Sequence, residues 1–211
     1  MHILAIETSC DETAAAVVTD EGRVLSNVVA SQIKDHAAFG GVVPEIASRK
    51  HTELIEPVVE EALIEAGTSG RELGAVTVTQ GPGLVGALLV GISYAKALAY
   101  GLGIPLFGIN HLEGHLCAAK IEHEVTYPHI GMVVSGGHTS LYRICSPSDI
   151  VRIGQTLDDA AGEAYDKVAK LLYLGYPGGV VIERISRGVD HEEIDFPRPL
   201  INDDTYDFSF S

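Results

Sequence analysis

HIGMVVSGGHTSLYRI (residues 129–144) repeats the layout of HILAIETSCDETAAAVV (residues 2–18). Each is an apolar run, a small polar turn and a second apolar run. Such runs read as strands and the turn as a hairpin. A strand–turn–strand unit that recurs within one chain is the mark of an internally duplicated, two-lobed fold. RVLSNVVAS (23–31) extends the first copy to an antiparallel meander. PEIASRKHTELIEPVVEEALIEAG (44–67) follows as an amphipathic helix, with Ile55, Val58, Val59, Ala62 and Leu63 on one face. Pro57 is expected to break or kink it. Strand GAVTVTQ (74–80), an apolar helix over 84–100, strand IPLFGIN (104–110) and helix HLEGHLCAAKIEHE (111–124) then alternate. That alternation predicts βαβ units with some parallel sheet.

After the restart, LDDAAGEAYDKVAKLLYLG (157–175) reads as one long helix closed by Gly175. From Ser186 onward the chain turns acidic and loses periodicity, and an extended excursion is expected. The division is therefore a first lobe over 1–128 and the start of a second over 129–211. The second copy has fewer elements than the first, so the expectation is a reduced lobe or a fragment.

With 211 residues, 46% of them hydrophobic, the chain can bury a core in one large or two small domains. A formal charge of −15 repels phosphate backbones, which excludes a general nucleic-acid binder. Any RNA contact needs a local basic patch or a partner. Cys10, Cys117 and Cys145 include no Cys-x-x-Cys, which argues against a disulfide framework and fits a reducing cytosol. The apolar run around residues 84–100, broken by Gly86, Gly91 and Lys96, reads as too polar for a membrane span.

In NHLEGH, His111 and His115 lie at i and i+4, one helical face, where two imidazoles can share a metal. They follow directly after a strand, at the mouth of a parallel sheet, where ligands bind. Two ordinary histidines near a helix start would have the same spacing, so both readings stay open. A zinc-protease motif needs the acid adjacent to the first histidine. Glu113 is two residues on, roughly 200° around the helix, so a third ligand must come from elsewhere.

SGGHT (135–139) offers two glycines, two hydroxyls and His138, five donors for an anion; the plain alternative is a glycine hairpin. In TSCDET (8–13), Asp11 and Glu12 beside Ser9 can position a metal or water, or form a solvated turn. QGPGLVG (80–86) lacks the Lys-Ser/Thr of a P-loop and reads as a close strand-to-helix crossing. Asp159, Glu163 and Asp166 share a predicted helix face, and Asp166 beside Lys167 suits a ribose or a solvated surface.

Taken in order, ETSCDET, GGVVPEIASRKH, TQGPGLVGALLVG, NHLEGH, VSGGHT, DDAAGEAYDKVAKLL, YPGG, FPRP and DFSFS resemble the bacterial tRNA adenosine threonylcarbamoyltransferase family, TsaD, once labelled a glycoprotease. The resemblance covers essentially the whole chain. It implies the α/β actin/Hsp70/sugar-kinase-like (ASKHA) superfold, a duplicated ribonuclease-H-like architecture. It implies transfer of a threonylcarbamoyl group from threonylcarbamoyl-AMP to the exocyclic amine of the adenosine beside the anticodon in tRNAs reading ANN codons. On the same basis His111 and His115 match an iron-binding pair, one Fe2+ per subunit with zinc as the alternative. Val134, Ser135, Gly136, Gly137 and His138 match a substrate loop, and Asp166 and Gly179 match two further contacts. The expected partners are tRNA, an inactive paralogue and a small ATPase. Family members continue past DFSFS and supply a further metal-binding Asp and a substrate-binding Asn, and they often have Pro where Val180 stands. The expectation is a truncated form that binds metal weakly. Two rival readings remain: a small-molecule kinase or ATPase of the same superfold, and a non-catalytic scaffold.

Overall fold

The computed structural model describes residues 1–188 and 196–211. Part of the predicted acidic excursion, residues 189–195, lies outside the described residues. The chain divides into two compact units, Met1–His123 and Glu124–Ser211.

In the first unit, β1 (His2–Glu7), β2 (Glu12–Thr19) and β3 (Val24–Ser31) form the expected antiparallel meander. β4 (Leu73–Gly81) joins the free edge of β1 in parallel, and β5 (Leu106–Asn110) joins β4 in parallel. The order is β3-β2-β1-β4-β5. Period-2 alternation turns Leu4 and Ile6 of β1 and Ala15 and Val17 of β2 into the core. A short helix α1 (Ile33–His36) precedes α2 (Pro44–Glu65), which packs on β2 and β3 through Ile55, Val58, Val59 and Ala62. α3 (Val85–Leu102) lies against β4 and α2, and α4 (His111–Glu122) follows β5 directly.

Pro57 does not divide α2, which runs as one 22-residue element. Pro57 and Glu53 are both exposed, so the carbonyl that loses its amide donor faces water rather than the core. The run judged too polar for a membrane span forms α3. By length and a mean hydropathy of 1.5 that helix is apolar enough to cross one, because Lys96 is its single charged residue.

In the second unit, β6 (His129–Val134), β7 (Thr139–Ser146) and β8 (Asp149–Gln155) form an antiparallel sheet in that order. Thus β6-β7-β8 repeats the connectivity of β1-β2-β3. β8 and the helix α6 (Gly178–Ser186) were not foreseen from the sequence. α5 spans Ala161–Leu171, shorter at both ends than the predicted 157–175. Asp158 and Asp159 therefore precede the helix rather than lie on it. Asp158 instead accepts from the Ser209 hydroxyl and the Phe210 amide, at 2.5 and 2.7 Å. Phe208 bridges Thr156 in parallel, which ties DFSFS to the end of β8.

Candidate functional site

The groups that matter in the first unit stand at the C-terminal ends of three adjacent parallel strands. β1 ends in Glu7, β4 carries Thr79 near its end, and β5 ends in Asn110. Their registers, Ile6 opposite Val78 and Thr79 opposite Ile109, bring these ends level. Asn110 is the N-cap of α4: its side-chain oxygen accepts from the Leu112 and Glu113 amides at 2.9 and 3.3 Å. The cap fixes His111 as the first helical residue and places His115 one turn on.

The two imidazoles meet edge to face, with ring centroids 4.5 Å apart and Nε2 atoms 3.1 Å apart. Metal–imidazole bonds of about 2.0–2.1 Å with ligand angles near 90–110° need a nitrogen separation of roughly 2.8–3.4 Å. The pair therefore suits one cation held between both Nε2 atoms. Among the described residues, no group of three or more His, Cys, Asp or Glu side chains could hold a metal. Glu113, the acid within the motif, is exposed.

Sequence reasoning missed Glu7. Its Oε2 lies 3.1 Å from His111 Nδ1 and accepts from the Thr79 hydroxyl at 2.6 Å, while the Ser9 amide donates to Oε1. Burial works to raise the Glu7 carboxyl, but hydrogen bonds from His111, Ser9 and Thr79 outweigh it and hold it at about 2. Burial and the neighbouring His111 push the His115 pKa below its ordinary value, against the pull of Glu7. The available signal was an acid closing an otherwise apolar strand, HILAIE.

Of the three TSCDET candidates, Ser9 reaches the histidines, its hydroxyl 3.2 Å from His111 Nδ1. The Asp11 carbonyl accepts from the Gln32 amide, and Glu12 opens β2 with an exposed side chain. QGPGLVG crosses closely beneath this turn, as its glycines suggested. A Cβ on Gly83 would stand 2.5 Å from the Ser9 carbonyl oxygen, and the Leu84 amide donates to that oxygen at 2.8 Å.

In the second unit, SGGHT is braced from within. The Ser135 hydroxyl and the His138 amide meet at 3.1 Å, and Thr139 Oγ1 accepts from the Ala161 amide at 2.9 Å, capping α5. These two hydroxyls serve the turn and the helix start, so the expected set of five free donors is smaller. Gly136 and Gly137 differ from them. Added Cβ atoms there would meet nothing within 4 Å, and neither residue sits at positive φ. Side-chain room therefore does not demand glycine at either position, while the Gly136 backbone itself packs against the start of α5 at Gly162. Gly162 at the start of α5 abuts the same turn, with an added Cβ only 2.7 Å from the Ser135 carbonyl oxygen. The turn and the N-terminus of α5 are thus packed directly against each other. Val134, the first residue of the candidate loop, is exposed at the end of β6.

Asp166 accepts from the Gly178 amide at 2.7 Å, so one of its oxygens tethers the start of α6. Gly178 packs against α5, where a Cβ would come within 2.5 Å of the Tyr165 carbonyl oxygen. A Cβ on Gly179 would meet the Tyr165 Cβ at 4.0 Å, an ordinary contact. Asp159 and Glu163 both pair with Lys167, at 2.5 and 3.2 Å, on an exposed surface.

Over residues 23–211 the chain matches the family described as TsaD: tRNA N6-adenosine threonylcarbamoyltransferase. It is 59% identical over 211 residues to the protein of that name from Geotalea uraniireducens (strain Rf4), covering all of this chain and 62% of the relative. The corresponding protein of Geobacter sulfurreducens is 58% identical with the same coverage. The chain thus spans 62% of the length of these curated relatives. Among solved structures, a Pseudomonas aeruginosa protein described as similar to peptidase YeaZ superposes with a TM-score of 0.50 at 20% identity, over 72% of this chain and 62% of that one. The likeness shows the fold, and it agrees with the ASKHA superfold that the family resemblance implied.

Proposed function

This chain belongs to the TsaD family of tRNA N6-adenosine threonylcarbamoyltransferases, and on that premise we propose that it serves threonylcarbamoyl transfer to tRNA. The donor is threonylcarbamoyl-AMP, and the acceptor is the exocyclic amine of the adenosine beside the anticodon in tRNAs reading ANN codons. The amine nitrogen bonds to the carbamoyl carbon, the carbon–oxygen bond to phosphate breaks, AMP leaves with the electron pair, and the amine gives up a proton. The observation that carries the reading is the pair of Nε2 atoms 3.1 Å apart at the strand ends.

His111 and His115 would hold one iron(II) ion, with zinc as the alternative; the bound ion supplies a Lewis acid for the substrate's oxygens. The space beside the Gly136 and Gly137 Cα atoms suits phosphate or acyl oxygens, and Gly179, next to the Gly178 amide that Asp166 holds, would contact a sugar or base. Asp166 has a second oxygen beyond the one that tethers Gly178, available to a ribose hydroxyl. The protein's work is then mainly positioning. At a formal charge of −15 the chain depends on partners for the tRNA backbone. The proposed partners are an inactive paralogue and a small ATPase, in the cytoplasm.

Elemental analysis of the purified chain against His111→Ala/His115→Ala, paired with a transfer assay containing the partners, tests this. The expected result is metal lost with the histidines and transfer lost with the metal. ATP hydrolysis indifferent to both substitutions would establish the kinase reading instead. Partner co-purification without turnover would establish the scaffold.

A further inference from the structure

Resting on the reading of the histidine pair as a cation grip, we infer that Glu7 is the positioning residue that sets the tautomer of His111. Its carboxylate keeps the ring proton on Nδ1, so that Nε2 turns a lone pair toward His115. Neither the family match nor the motif spacing assigns Glu7 any role.

For a neutral His111 ring the hydrogen bonds allow one consistent pattern. The Thr79 hydroxyl and the Ser9 amide donate to the Glu7 carboxylate, which stands 3.1 Å from His111 Nδ1. A carboxylate acting as acceptor toward all its neighbours requires a proton on Nδ1. The Ser9 hydroxyl, 3.2 Å from the same nitrogen, can donate or accept, so alone it would leave the tautomer undecided. With Nδ1 protonated, Nε2 is bare and 3.1 Å from His115 Nε2. Two lone pairs do not face each other at that distance without a proton or a cation between them. In the metal-free chain His115 supplies the proton; a cation takes its place.

The arrangement follows from strand register. Glu7 closes β1, Thr79 lies near the end of β4, and His111 follows the last residue of β5. Three neighbouring parallel strands thus fix the acceptor, its support and the ring. A carboxylate that orients a metal-ligating imidazole in this way also raises its basicity, and losing such a partner costs about 10–100-fold in metal affinity.

The test uses the full chain, metal-free, at pH 8, with long-range nitrogen–proton NMR on the histidine rings. Wild type is expected to show His111 protonated on Nδ1, and Ser9→Ala should keep that state. Glu7→Gln should mix the tautomers and weaken zinc binding about 10–100-fold in a chelator competition. Unchanged amide shifts in β1 and β4 would show that the variant is folded. Should it not fold, wild type and Ser9→Ala decide alone, and a wild-type His111 protonated on Nε2 overturns the inference. A shifted tautomer with no zinc bound by either protein would keep Glu7's role and remove the cation-grip reading. Equal zinc affinity with an unmoved tautomer would remove Glu7's role and keep the grip.

Discussion

Replacing Asn110 by Ala tests the placement of the histidine pair without touching either ring. The Asn110 side chain accepts from two of the first amides of α4, and Leu112 is the buried residue of that twelve-residue helix. With so little apolar anchoring, the cap is a large share of what holds the first turn. Losing a side-chain cap costs about 1 kcal/mol, in a range of roughly 0.5–2. That corresponds to a local opening equilibrium raised about 5-fold, within limits of roughly 2- to 30-fold. Native-state hydrogen exchange reads this directly. The Leu112 and Glu113 amides should exchange about 5-fold faster in Asn110→Ala, while amides in the β1–β4 core stay as in wild type. Asn110→Ser should recover most of the protection, because a hydroxyl also caps. Unchanged exchange at Leu112 and Glu113 in the Ala variant would refute the reasoning. Equal loss in the Ser variant would show that the amide acts through something other than the cap.

Two glycine-to-alanine changes in the first unit should have opposite signs. Gly83→Ala drives a Cβ to 2.5 Å from the Ser9 carbonyl oxygen and should destabilise by about 1–3 kcal/mol in urea titration. Gly101→Ala, inside α3 with open space around it, should stabilise by about 0.5–1 kcal/mol. His51 predicts an acid limit. It is fully buried between the Thr13 hydroxyl at 2.7 Å and the Cys10 carbonyl at 2.9 Å, and burial pushes its pKa below the ordinary 6.5. The unfolded chain then binds this proton first. The stabilisation is complete above pH 6.5 and declines as pH falls toward the folded value, at no more than about 1.4 kcal/mol per pH unit. Urea midpoints at pH 7.5 and 5.5 should therefore separate more for wild type than for His51→Gln. Equal separations would exclude His51 as the source.

The meander, the βαβ alternation and the histidine pair were legible because local periodicity and spacing encode them. HILAIE and AAAVV are short apolar runs set off by a polar turn, and HLEGHLCAAKIEHE follows the strand IPLFGIN directly. What escaped depends on distant contacts. LDDAAG reads as helix, yet Thr139 caps the Ala161 amide from another strand and the 209–210 segment claims Asp158. β8 escaped because Arg152 and Gly154 interrupt its alternation and its pairing with β7 shifts register twice. α6 begins with two glycines, poor helix formers, and its start is held by Asp166 from another helix. Glu7 escaped for the same reason: its importance lies in strand neighbours more than seventy residues away.

The contacts also sort the candidate groups by unit. Glu7, Ser9, Thr79, Asn110, His111 and His115 all belong to Met1–His123, while the SGGHT turn, Asp166 and Gly179 all belong to Glu124–Ser211. The tie between Glu7 and the histidines is completed by strand register within the first unit. The turn and the α5 start brace each other within the second. The His111 tautomer and the metal held by the histidine pair therefore report on the first set. A variant that keeps both but loses transfer places its defect in the second set or in a partner contact, and a change at Gly136 or Gly137 is the cleanest way to produce one.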